Sequence, residues 1–274
     1  MVVGDAAHHG WSDRHGTFFG IKHAGIPGSA LLAGLSVPLF NLRWGWRWSF
    51  VAAAIIGVLL LLLIPRAAPP AQPDAAKSEQ VRIRMARGDL RRLTVVASLV
   101  AMAPGALGMF TISAGLAAGL SEGAAGWVLS AAGLSTILAR GLYGTWIDRR
   151  GASGIRLLVL VVGVGALSVV GLAFARGMWF AFMTVAAFVA AWVWPGLLTY
   201  TVVLGNSDRP AEATARTQAG IFVGAGLGPP VFGWLVDRVE FRGAWLAIVM
   251  VLAVGAMVGY PLIGGRKTTS SVSR

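Results

Sequence analysis

The chain contains no cysteine among its 274 residues, which excludes disulfides, thioether haem links and thiolate metal sites. Charge is nearly as scarce. Asp, Glu, Lys and Arg together make up 12% of the residues, where a soluble domain carries about 25%. So small a set cannot cover a water-exposed surface. Acidic side chains are its rarest part: all eleven fall between the apolar runs or at their ends (Asp5, Asp13, Asp74, Glu79, Asp89, Glu122, Asp148, Asp208, Glu212, Asp237 and Glu240). The runs therefore lack the mid-membrane carboxylate whose costly burial makes protonation switchable in proton-coupled carriers. The four histidines lie within the first 23 positions, and His8-His9 has no carboxylate at metal spacing. No metal and no cofactor are expected. The first sixteen residues contain no apolar core of signal-peptide length.

What the chain has in abundance is apolar residues, at 56%, with a mean hydropathy of +0.72. A membrane span needs about 20 mostly apolar residues. Eight such runs are legible, at 17–40, 46–65, 93–118, 124–147, 155–175, 178–204, 213–236 and 243–264. Runs of this length exclude barrel strands and predict an all-α integral membrane protein. Prolines inside them (Pro27, Pro38, Pro104, Pro195, Pro229 and Pro230) are tolerated where neighbouring helices satisfy the freed backbone groups. The glycine-rich stretches lie inside these runs and not at strand-to-helix turns, so phosphate-loop readings fail. No enzyme is expected.

The net charge of +12 invites a nucleic-acid reading, but the basic residues are scattered between apolar runs and alternate from one connection to the next. Sixteen lie in alternate connections: Arg14; Arg66, Lys77, Arg82, Arg84, Arg87, Arg91 and Arg92; Arg149, Arg150 and Arg156; Arg209 and Arg216; Arg266, Lys267 and Arg274. The intervening connections hold five: Arg43, Arg47, Arg176, Arg238 and Arg242. The positive-inside rule then places both termini in the cytoplasm, for a multi-pass protein of the cytoplasmic (inner) membrane. Trp44, Trp46, Trp48, Trp127, Trp179, Trp234 and Trp245 fall near the outer interface on this topology. Expected partners are the lipid bilayer and a small solute, not nucleic acid; no oligomeric state can be read. The longest connection, 66–92, is Ala/Pro-rich and then basic. Its first half reads as a linker, and Val81–Arg92 reads either as an orientation signal or as a helix lying on anionic lipid.

The sequence also repeats. Lys22-His23-Ala24-Gly25 matches Thr217-Gln218-Ala219-Gly220, and the small residues Gly25, Ser29 and Ala33 match Gly220, Gly224 and Gly228. Duplicated pairs of apolar helices are a building principle of secondary transporters. Small residues four apart let helices approach closely, so Gly25, Gly220, Gly224, Gly228 and the adjoining Pro229 are candidate packing positions.

Two further motifs point the same way. Gly144-Thr145-Trp146-Ile147-Asp148-Arg149-Arg150-Gly151 ends the fourth run, and Gly224 to Gly233 forms a glycine-proline stretch in the seventh. The first resembles the G-x-x-x-D-R-x-G signature loop of the major facilitator superfamily, and the second is similar to that family's glycine-proline helix. Trp194-Pro195-Gly196-Leu197-Leu198 also looks like bacterial members. Members have twelve helices, six plus six around a long cytoplasmic linker. By resemblance, 1–66 is a remnant of the N-terminal bundle with two helices, 67–92 the linker, 93–264 the C-terminal six-helix bundle, and 265–274 a cytoplasmic tail. The expected fold is thus a major-facilitator-like bundle of eight transmembrane helices, corresponding to helices five to twelve and lacking the first four. Either the natural product is longer or eight helices are the genuine product. A bundle without half its first domain would expose helix faces shaped for protein, which favours the longer product.

The resemblance implies a secondary active transporter working by alternating access. The second reading is a non-transporting truncated product or a membrane partner protein. Basic residues without acidic ones favour an organic anion or drug-like solute. Arg140, inside the fourth run, and Lys22, inside the first, are buried cations and hence candidate solute contacts; a guanidinium forks onto carboxylate or phosphate. Snorkelling to headgroups, or bracing of a helix end by Arg140, is the plainer reading. His23, Trp194 beside the bend at Pro195, Gln218 and Tyr200 complete the candidate solute set. In the family, helices five and eight face each other across the bundle interface. The resemblance therefore implies a conformational latch at Gly144, Asp148, Arg149 and Gly151, with Asp148 facing the start of the first helix and pairing with Arg14 or Arg209.

Overall fold

The computed structural model describes residues 25–63, 85–150, 154–206 and 209–264. Side chains are described for all of these except 143–150, 154–159, 200, 204 and 263–264. The described residues are helical and include no strand. Helix α1 spans Gly25–Ser36 and passes through a π-helical stretch, Val37–Asn41, into the short α2, Leu42–Trp44. Pro38 opens that stretch. It lacks an N–H and its ring crowds the preceding turn, so the ladder widens there and the Leu42 N–H reaches back to the Val37 carbonyl. The turn ends at Gly45, whose φ of 89° suits only glycine. Then follow α3 (Arg47–Leu63), α4 (Arg87–Ala117), α5 (Glu122–Arg150), α6 (Gly154–Phe174), α7 (Gly177–Gly205), α8 (Pro210–Gly259) and α9 (Pro261–Gly264).

Among the described residues five helices are long and apolar enough to cross a membrane: Gly25–Trp44, Arg87–Ala117, Glu122–Leu142, Gly177–Val203 and Pro210–Gly259. Arg47–Leu63 and Leu160–Phe174 are shorter apolar helices. The expected seventh and eighth runs are the two helical halves of α8, which meet at a break at Val239 (φ −131°, ψ 17°) and Glu240 (φ 57°, ψ 176°). The described part of 81–92 bears on the surface-helix alternative. From Arg87 the chain is already α4, collinear with the apolar run, so Arg87, Arg91 and Arg92 sit on its first turns.

Apolar burial organises α4 to α8 into one bundle. Its most extensive pairing is α8 on α4, followed by α6 on α7 and α1 on α5. Phe232, fully buried, stacks on Trp245 at 4.3 Å and on Phe110 at 5.0 Å, which ties both halves of α8 to α4. That packing removes Trp245 from the expected interfacial belt: it is 1% exposed. Trp44, Trp46, Trp48, Trp127, Trp179 and Trp234 are exposed. Arg238 lies over the Trp234 ring at 4.0 Å and Arg47 over Trp46 at 4.8 Å, as cations beside interfacial indoles do. Helix α3 buries none of its residues.

Candidate functional site

The glycines of α8 set the closest approach in the bundle. A methyl group built on Gly220 would stand 2.5 Å from the Thr94 carbonyl oxygen, and one on Gly228 would stand 2.6 Å from that of Met102. Between them, a methyl on Gly224 would overlap the Ser98 carbonyl oxygen. Contact distances between real carbon and oxygen atoms begin near 3.3 Å, so only hydrogen fits at all three positions. Both sets step by four residues in the same direction, so α4 and α8 run parallel here. Pro229 adds its ring edge, 3.2 Å from a methyl built on Gly105.

A second contact of this kind joins α1 to α5, with the two chains antiparallel. A methyl on Gly34 would stand 2.6 Å from the Gly126 carbonyl oxygen, and one on Gly133 would stand 2.8 Å from that of Pro27. Ser130 stitches the pair: its hydroxyl donates to the Leu31 carbonyl at 3.2 Å and to its own helix at Gly126. Here the structure departs from the packing expected of the first repeat. Gly25 has nothing within 4 Å of an added methyl, and Gly25, Ser29 and Ala33 lie on the exposed face. The buried face of α1 is instead Pro27 and Gly34, one stripe around the helix. Sequence reasoning missed Gly34, Gly126 and Gly133. Their signal is the small-residue spacing Gly126, Ser130, Gly133 on α5, which is lost among 37 glycines.

Arg140 lies on the same helix, α5, buried to 3% exposure. Its guanidinium donates to the backbone carbonyl of Trp192 on α7, through Nε at 2.8 Å and through Nη2. Trp192 stands three residues before Pro195, which has no N–H and sits inside α7. A proline bends its helix and removes the donor of the carbonyl four residues back, here Ala191, so the neighbouring Trp192 carbonyl lies at the bend. The guanidinium adds donors there. The arrangement is therefore a brace between α5 and a bend in α7.

Trp194, expected to form an aromatic wall for solute, is 1% exposed and packs among Val100, Val169, Ala190 and Leu252 inside the bundle. Two residues from Trp192 on a helix, it points away from the Arg140 side. Gln218 is half-buried on α8, beside Thr217, whose hydroxyl is spent on the Ala213 and Thr214 carbonyls. Tyr200 lies on α7, and Gly144, Asp148 and Arg149 lie near the end of α5; their side chains are outside the described set, as are Lys22, His23, Arg14 and Gly151 altogether. Arg209, one expected partner of Asp148, pairs with Glu212 at 3.4 Å, and Arg216 takes the other oxygen of that carboxylate at 2.8 Å. Among the described residues no cluster of His, Asp or Glu has metal-binding spacing.

A family model described as Major Facilitator Superfamily matches residues 93–274. The human organic anion transporter MFSD10 (TETRAN) is similar in structure at 15% identity and a TM-score of 0.54, over 74% of this chain and 46% of that one. FucP, a Major Facilitator Superfamily transporter solved in the outward conformation, is similar at 18% identity and a TM-score of 0.56, over 77% and 53%. A second structure, of the E. coli fucose:proton symporter FucP, gives 17% and 0.53, over 78% and 54%. At these identities the likeness is one of fold. The chain spans about half the length of the solved structures it matches. No curated protein matches it.

Proposed function

Since the chain belongs to the Major Facilitator Superfamily, we propose that it is a secondary active transporter, or the larger part of one, moving a small solute by alternating access. Eight spans cross the cytoplasmic membrane with both termini inside: two at 1–66, six at 93–264, a linker at 67–92 and a tail at 265–274. The observation that carries this reading is the α1–α5 contact. Its glycine-to-carbonyl surface is held across the helices by one described side-chain hydrogen bond, from Ser130 to Leu31. These two helices correspond, by resemblance, to helices five and eight on opposite halves of the transporter. Small-residue surfaces let two helices meet closely without interlocking long side chains, a geometry that a contact between the two halves can make and break as a unit.

Within this reading Arg140 and Trp194 serve the architecture of the C-terminal bundle, and solute contact falls to Gln218, Tyr200, Lys22 and His23. Asp148, with Gly144, Arg149 and Gly151, latches the cytoplasmic side. Basic residues without acidic ones in the runs make an organic anion the favoured solute. The chain is expressed in cells, and accumulation of a panel of labelled organic anions is measured beside an empty vector. A change in accumulation of at least one anion, reduced by Asp148→Asn with insertion intact, is the expected result. Unchanged accumulation across the panel, with the chain present in the membrane, would sink the proposal. It would favour the second reading, a membrane partner protein, for which the open faces of α1 and α3 are suited.

A further inference from the structure

Where α4 ends, α6 turns into α7 and α8 breaks, a cavity of about 540 Å³ opens at the surface. Small-molecule sites span ~300–1,000 Å³, so the space suits one. Its lining is more polar than apolar. None of the residues of the Arg140 brace contributes to it.

The polar part has two sources, and the first is main chain. Helix α4 stops at Ala117 and α6 at Phe174, and the last carbonyls of a helix have no donor within it. The turns satisfy some of them: Ala118 donates to Ala114, Ala175 to Gly171 and Gly177 to Ala118, each at 2.9 Å. Among the described residues no backbone N–H reaches the carbonyls of Ala117, Leu172, Ala173 or Phe174, and all four residues line the cavity. Two helix C-termini thus bring partial negative charge to one space.

The second source is three charged side chains, Arg176, Glu240 and Arg242, all exposed. Arg242 is engaged: its guanidinium carbon lies 4.3 Å from the centre of the Phe174 ring, reaching from α8 to α6. Arg176 stands at the joint of α6 and α7, and Glu240 at the break in α8, on different walls. Among the described residues neither has an ion-pair or hydrogen-bond partner, although they carry opposite charges and share one cavity. The backbone at Glu240 is strained as well, with φ 57° and ψ 176°, a conformation nearly confined to glycine. A glycine would sit there unstrained; the chain carries a carboxylate instead.

We infer that this cavity binds a small zwitterion, an α-amino acid with a large apolar side chain. Its ammonium lies between the Glu240 carboxylate and the two helix C-termini, where positive charge is favoured. Its carboxylate takes the Arg176 guanidinium, whose fork fits it. Its side chain rests on the apolar share of the wall, Ala114, Phe180 and Phe241. A plain anion would face Glu240 and the carbonyls, and a plain cation would face the arginines. A ligand bearing both charges satisfies both walls.

To test it, the purified full chain in detergent is titrated with L-phenylalanine by calorimetry, a readout that does not depend on transport. Saturable binding is expected. Phenethylamine and phenylpropionate, each lacking one of the two charges, should bind at least about tenfold more weakly. Glu240→Gln and Arg176→Gln, both at exposed positions, should each weaken L-phenylalanine about tenfold while the empty protein melts as before. Glu240→Gly separates binding from folding. It relieves the backbone, so the empty protein should melt at a higher temperature while binding is lost. Absence of saturable binding by L-phenylalanine in the folded protein overturns the proposal. So does either analogue binding as tightly as L-phenylalanine, which would mark a simple anion or cation site. Undiminished binding by Glu240→Gly overturns it too.

Discussion

At the scale of single residues, direction decides role, and direction is what a linear sequence hides best. Arg140 was legible as a buried cation, yet one partner is a backbone carbonyl 52 positions away, beside a proline bend. No side-chain pattern announces a carbonyl. Arg140→Ala should lower the unfolding temperature in detergent by the equivalent of about 1–2 kcal/mol, the worth of a charge-assisted hydrogen bond across membrane helices. Arg140→Lys should recover part of it, because one ammonium replaces two of the guanidinium's donors. An unchanged melting point for Arg140→Ala would remove the brace. Gly224 is a sharper case, since even one methyl meets the Ser98 carbonyl. Gly224→Val should cost about 1–3 kcal/mol or more through overpacking, read as lost folded protein in thermal and fluorescence size-exclusion assays. Gly226, open on all sides within 4 Å, supplies the control: Gly226→Ala should leave the yield unchanged.

At the scale of helices, composition spoke clearly about existence and poorly about joints. The apolar runs of α4, α5, α6 and α7 begin and end within a few residues of their expected bounds. The break in α8 is narrower than the charged connection suggested, because Phe232 and Trp245 stack across it and hold the two halves together. On α1 the repeat pointed to Gly25, Ser29 and Ala33, which are exposed, whereas Gly34 and the Pro27 carbonyl meet α5. The α1–α5 pairing can be tested directly because the chain has no native thiol. The Leu42 side chain, at the start of α2 where the helix from α1 continues, comes within 3.3 Å of a methyl built on Gly123. Cysteines at Leu42 and Gly123 should therefore join with a short bifunctional thiol reagent, giving a band that resists cutting in the linker. If α1 and α5 separate during transport, the same cross-link slows it. Failure to cross-link in the folded protein would contradict the pairing.

For the whole molecule, the membrane character and family were readable because apolar length and loop charge are bulk properties, summed over many residues and tolerant of local error. Inside and outside follow from the same sums and are open to measurement. With no native cysteine to interfere, single cysteines at Gly45, Gly119 and Glu240 should react with an impermeant maleimide added outside intact cells, whereas those at Gly88 and Arg209 should react only after the membrane is opened. Labelling of Gly119 and Gly88 from the same side would overturn the alternating topology and the eight-span reading with it.

The contact of α8 with α4 has one more consequence, for how this protein tolerates change. On one side stand Gly220, Gly224 and Gly228, each defined by having no side chain; on the other stand Thr94, Ser98 and Met102, whose main-chain oxygens meet them. Every amino acid carries that oxygen. The constraint is therefore lopsided: a saturation screen should find three positions on α8 that accept almost nothing, facing three on α4 that accept many small and medium substitutions. Two surfaces that touch this intimately will leave little record of compensating pairs, because one partner has nothing to vary and the other meets it chiefly through its main chain.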